Sequence, residues 1–193
     1  IYHEHFSYFS ASTIIRLLSR AGLSVFHLEA NAAKGGSLRV FAQPATSQRK
    51  VNHTIENFIQ EEKLNHVEKV EFYTEFGLML ESRKKEIKNF LAPIQLSCEK
   101  IVGYGASHST TTLLHHFELG DYLEFIVDDN QIKQGLYSPG FGLEVKSPES
   151  LYIDPPKVVL ILAWHHALSI DERNRELLNS GVTFVTPLPE LHI

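Results

Sequence analysis

The chain has 193 residues, 43% of them hydrophobic and 21% charged, with a formal net charge of -5. That composition suits an ordinary soluble globular protein; it lacks the basic excess of an electrostatic nucleic-acid binder and any apolar run of the roughly 20 residues needed to span a bilayer. Cys98 is the single cysteine, which excludes an internal disulfide and a multi-cysteine zinc site, and a cytoplasmic location is expected.

The chain opens Ile-Tyr-His-Glu-His without an initiator methionine, so a fragment of a longer protein is expected. Tyr2, His3, Glu4 and His5 form its densest cluster of titratable groups. A neutral imidazole takes a proton near neutral pH, a carboxylate orients it, and a phenol polarises a carbonyl or hydroxyl. A hydrogen-bonded loop explains the same cluster, and a metal would need a third ligand that the sequence does not identify. Ser10 or Ser12 then caps a helix carrying Ile14, Ile15, Leu17 and Leu18, which stops at Gly22. Leu23–Glu29 and Leu38–Ala42 alternate as strands, with Gly35 and Gly36 permitting an antiparallel return.

Beyond Pro44, a helical region starts at Ser47 and breaks near Lys63–Asn65. A second helix runs to about Leu91, ended by Pro93, with Val67, Val70, Tyr73, Phe76, Leu80, Ile87 and Phe90 inward. Residues 47–95 thus read as a helical linker bracing two bodies. From Ser97 strands and helices alternate: Lys100–Gly103, a helix with Leu113–Phe117, Leu123–Val127, the fully apolar Val158–Ala163, a helix over Ile170–Asn179, and Val182–Val185. This is the pattern of a small parallel sheet covered on both faces, and its core is expected to fold independently from about Ser97.

The turn Gly103-Tyr104-Gly105, followed by Ser109–Thr112 as helix caps, has two readings. Such a turn either presents backbone N–H groups and a helix N-terminus to a nucleotide, or simply joins a strand to a helix. The dinucleotide fingerprint wants a third glycine where His108 stands. Asp128, 25 positions beyond Gly103, either binds ribose hydroxyls or forms a turn with Asp129 and Asn130. Trp164, with His165 and His166, follows an apolar strand at its carboxyl end and either stacks on a base or sugar or packs against helices. His115 and His116 are expected as one buried edge and one surface residue.

The opening IYHEHFSYFS, with RAGLSVFHLE and KGGSLRVFA, resembles the end of the methyltransferase domain in the S-adenosylmethionine-dependent sugar C-methyltransferases. KIVGYGAS, FIVDDNQIKQGLYSPGFGLEV, VVLILAW and GVTFVTPLPEL resemble that family's C-terminal Rossmann-like domain. The resemblance implies an α/β chain: 1–46 the end of a methyltransferase domain (its terminal helix plus antiparallel strand pair), 47–95 the linker, and 96–193 the Rossmann-like domain. It also implies a nucleotide-linked keto-deoxysugar as substrate. His5 would be the base that abstracts a proton next to the keto group, with Tyr2 and Glu4 positioning the sugar or stabilising the enolate. His3, Gly103, Gly105, Asp128 and Trp164 are the candidate substrate contacts.

S-adenosylmethionine would be bound by sequence upstream, and zinc is expected only in an N-terminal part outside this chain. The pattern departs from the family at Ser107-His108-Ser109, where a small residue and Lys-Gly are usual, and at His165, where asparagine is usual. The chain alone is expected to be inactive. A strand edge near Val40, awaiting its upstream neighbour, is expected either to promote self-association or to be held against the chain's own brace helices. The alternative reading is a non-catalytic nucleotide-sugar binding or assembly module.

Overall fold

The computed structural model describes residues 5–33 and 36–193. The chain divides into two compact units at Leu78/Met79.

In the first unit, α1 (Ala11–Arg20) starts at Ser10, whose hydroxyl accepts from the Thr13 N–H. The Glu62 carboxylate adds further acceptors for the N–H groups of Ala11 and Ser12. Gly22, at φ +76°, turns the chain into β1 (Leu23–Asn31). β1 pairs antiparallel with β2 (Ser37–Pro44), in a register broken by a bulge between Val25 and His27. The helix α2 (Thr54–Leu64) and α1 cover one face of this pair, enclosing Ala11, Val25, Leu28 and Ile55.

The helix α3 (Val70–Leu96) is longer than the sequence suggests, because Pro93 lies within it rather than ending it. A proline removes one N–H and crowds the preceding turn; here a single further turn follows before the helix ends. Val70, Tyr73 and Phe76, expected inward, are exposed, whereas Ile87 and Leu91 are fully buried. Periodicity identifies the apolar side of a helix but not whether anything covers it.

The second unit is built on a five-stranded parallel sheet in the order β5-β4-β3-β6-β7. Its strands are β3 (Ile101–Tyr104), β4 (Ile126–Val127), β5 (Val145–Lys146), β6 (Val158–Ile161) and β7 (Thr183–Val185). β5 is a strand beyond the four read from sequence; its two residues are too few to show a periodic pattern. The helix α4 (His108–Phe117) and the later part of α3 cover one face, burying Ile87, Leu91, Leu114 and Phe117 against Ile101, Ile126 and Leu160. The other face buries Val102, Tyr104, Val159 and Ile161 under α5 (Ser150–Ile153), α6 (Ala167–Arg173) and α7 (Arg175–Asn179). This is the Rossmann-like α/β layering expected. Ile87 and Leu91 belong to the core of the sheet, so that core draws on residues before Ser97, where independent folding was expected to begin.

Candidate functional site

Tyr2, His3 and Glu4 lie outside the described residues. His5 is described and exposed, and groups with the 79–193 unit.

The glycine turn differs in detail from its sequence reading. Gly103 and Tyr104 are the last residues of β3, and only Gly105, at φ +105°, makes the turn. Both glycines are explained by packing. A Cβ on Gly103 would stand 2.6 Å from Leu162 Cδ1, and one on Gly105 would stand 2.4 Å from Ala163 Cβ. The cap of α4 is Ser107 rather than one of Ser109–Thr112. Ser107 and Thr110 form a reciprocal capping box, and the Thr110 hydroxyl also donates to the Gly105 carbonyl at 2.7 Å.

Asp128 is buried, and its carboxylate serves the protein itself. It accepts from the Ala106 N–H at 2.7 Å, the Asn130 N–H at 2.9 Å and Lys133 Nζ at 3.1 Å. An internal anion thus takes an N–H of the turn that follows β3. Asp129 is committed too, accepting from the Tyr104 hydroxyl at 3.0 Å and pairing with Arg173 at 3.0 Å. Burial, reinforced by the Asp129 carboxylate, pushes the Tyr104 phenol up to about 12.

In open α/β sheets, ligands bind beyond the carboxyl ends of the strands where the strand order reverses. Here that position lies between β3 and β6, where the Gly105 backbone packs closely on Ala163. Open space lies one strand over. Trp164, His165, Ala167, Leu168 and Asp171 follow β6, while Thr186, Leu188, Pro189 and His192 follow β7, and these residues line a shallow cleft of about 460 Å³. The two β7-side walls are tied by backbone hydrogen bonds between Thr186 and His192.

Trp164 is half-buried and packs on the sheet core, with the His165 ring 3.4 Å from its own, centroid to centroid. Burial lowers the His165 pKa, as does charge on His166, which favours the neutral imidazole. Burial raises the Asp171 pKa, and its Oδ1 is covered without a hydrogen-bond partner. Leu168 is 82% exposed at the rim.

Sequence reasoning reached Trp164 but missed Asp171, Thr186, Leu188 and His192. The available signal was the one that led to Trp164, since the segment after the last apolar strand also lies at a carboxyl end. His115 and His116 are both exposed, His115 against the Phe141 ring at 4.7 Å. Among the described residues no group of three His, Cys, Asp or Glu side chains could hold a metal ion, and no helix is long and apolar enough to cross a membrane.

Residues 32–189 match the family described as C-methyltransferase C-terminal domain. C-methyltransferase NovU of Streptomyces niveus is 32% identical over 191 residues, covering 98% of this chain and 46% of that protein. The chain therefore spans less than half the length of this relative. Among solved structures, UDP-D-quinovosamine 4-dehydrogenase from Vibrio fischeri aligns over 48% of this chain and 79% of its own, at 17% identity and a TM-score of 0.37.

Proposed function

The chain belongs to the C-methyltransferase C-terminal domain family, and we propose that it is the C-terminal portion of an S-adenosylmethionine-dependent enzyme that methylates carbon in a nucleotide-linked keto-deoxysugar. The observation carrying this reading is the alignment of almost the whole chain with a C-methyltransferase at 32% identity.

A carbon beside a keto group becomes a nucleophile only when its proton is removed. In this reading His5 takes that proton, and Tyr2 and Glu4 hold the sugar and stabilise the negative charge on the enolate oxygen. The grouping of His5 with the Rossmann-like unit supports placing the substrate beside that unit. The glycine turn does not fit the methyl donor: Gly105 packs on Ala163, and Asp128 already takes the Ala106 N–H. Donor binding is accordingly assigned to sequence outside this chain, which is expected to be inactive alone.

The test separates proton abstraction from methyl transfer. The longer protein containing this chain is incubated in deuterated buffer with a keto-deoxysugar nucleotide, and exchange next to the keto group is followed by NMR. Replacing His5 with alanine should slow both exchange and methylation by about 10²–10⁴-fold. Undiminished exchange in His5→Ala would overturn the assignment of the base, and absence of methylation on every such substrate would overturn the function.

A further inference from the structure

The cleft beyond β6 and β7 combines features that converge on one kind of ligand. Its largest lining side chain is an indole whose neighbour His165 lies against it, limiting the conformations open to Trp164. An immobilised aromatic face binds another planar ring at a small entropic cost, and stacking of this kind accepts any nucleobase. Leu168, Leu188 and Pro189 supply apolar walls. Within these walls lies one carboxylate, Asp171, half-buried in the cleft wall. A carboxylate in an otherwise apolar wall accepts a hydrogen bond from a ligand N–H, and bonds to a charged group are the stronger ones. A carboxylate accepts hydrogen bonds and repels phosphate, so the group drawn to Asp171 is a neutral ring carrying N–H rather than an anion.

We infer that this cleft is a nucleobase pocket, in which Trp164 stacks on the ring and Asp171 accepts a hydrogen bond from a ring or exocyclic N–H of a nucleoside diphosphate. The inference rests on the reading of the substrate as nucleotide-linked and locates the nucleotide end of that substrate. It also fits the close packing of Gly105 on Ala163 between β3 and β6, since the cleft lies one strand over at the same carboxyl edge.

Trp164 is the single tryptophan of the chain, so its fluorescence reports on the pocket directly. The 193-residue chain is titrated with thymidine, uridine, guanosine and adenosine diphosphates, with ribose 5-phosphate, pyrophosphate and S-adenosylhomocysteine in parallel. Saturable quenching by at least one nucleoside diphosphate, absent with ribose 5-phosphate and pyrophosphate, is the expected result. Asp171→Ala should weaken that binding about tenfold or more. Leu168→Glu places a charge at the exposed rim without disturbing the core, and should weaken it comparably. Absence of nucleotide binding, calorimetric binding without change in Trp164 emission, or binding indifferent to Leu168→Glu would each overturn the inference. So would equal quenching by ribose 5-phosphate, while quenching by S-adenosylhomocysteine alone would reassign the cleft to the methyl donor and overturn it as well.

Leu168→Glu in the longer methyltransferase separates this inference from the function beneath it. A raised KM with kcat retained supports both. Unchanged kinetics removes the pocket and leaves the function standing. Nucleotide binding through the cleft by a protein that methylates no sugar removes the function and leaves the pocket.

Discussion

Replacing Asp128 with alanine tests whether this acid is structural or reserved for a ligand. Its carboxylate joins the turn after β3 to the turn after β4 through Ala106, Asn130 and Lys133. The Ala106 N–H is half-buried, so losing its charged acceptor costs about 1.5–3 kcal/mol. Asn130 is exposed, and water replaces most of its lost bond, leaving about 0.5–1 kcal/mol. Lys133 is 35% exposed and regains hydration, so its pair contributes at most about 1 kcal/mol. The sum is about 3 kcal/mol, and the non-additivity of neighbouring groups makes this a central figure. Asp128→Asn retains one acceptor but turns an NH₂ towards donors, and should cost about half as much. Urea unfolding of the 193-residue chain, read by far-UV circular dichroism, gives the stabilities. Hydrogen exchange at Ala106 shows whether the loss is local. A cost below about 1 kcal/mol for Asp128→Ala, with the Ala106 amide still protected, would refute this reasoning and return Asp128 to the pool of ligand contacts.

Gly105→Ala should destabilise by about 2–4 kcal/mol, since φ is +105° and the new methyl would stand 2.4 Å from Ala163 Cβ; thermal unfolding of the purified variant measures it. Tyr104, raised to about 12, should remain un-ionised until the alkaline end of a 295 nm absorbance titration, and Tyr104→Phe should leave the earlier part of that curve unchanged. The sign follows from the raised value: Tyr104 contributes stability that is fully present below pH 10 and is lost as pH rises through about 12. A shortened chain beginning at Met79 should melt cooperatively and one beginning at Ser97 should not, because the latter lacks Ile87 and Leu91; equal, cooperative melts would contradict that division of the core. Among the described residues β1 and β2 pair as strands only with each other, so amides on their outer edges should exchange faster than those of β3, and a sedimentation coefficient that rises with concentration should show self-association through that edge.

The sheet was legible because β3 and β6 are buried on both faces, and continuous apolar runs such as VVLILA have few other uses. The hairpin was legible from alternation on either side of Gly35 and Gly36. The helix α3 was legible as a helix but not as two environments: Tyr73 and Phe76 stand at i, i+3 and Ile87 and Leu91 at i, i+4, both helical spacings, yet only the latter pair meets a sheet. A one-dimensional pattern carries no information about which part of a long helix finds a partner. Strand β5 escaped because two residues, Val145 and Lys146, carry no period at all.

The candidate site was legible only in part, for a related physical reason. A glycine beside a strand end is demanded equally by a ligand's approach and by the approach of another strand's side chains. Gly103 and Gly105 answer the second demand, through Leu162 and Ala163, and the motif looks the same either way. An acid at the end of the next strand is equally ambiguous, because a ribose hydroxyl and a backbone N–H both satisfy a carboxylate. Asp128 has chosen the backbone. The open ground lies instead at the ends of β6 and β7. There the informative residues, Trp164, Asp171 and Thr186, are scattered over more than 20 positions and form no motif. What unites them is the parallel pairing of Val158–Leu160 with Thr183–Val185, which brings the two following segments to the same edge. Any function of that cleft is therefore a property of strand register, and a relative that keeps GYGAS but alters the residues after its last two strands should lose the cleft while retaining the fold.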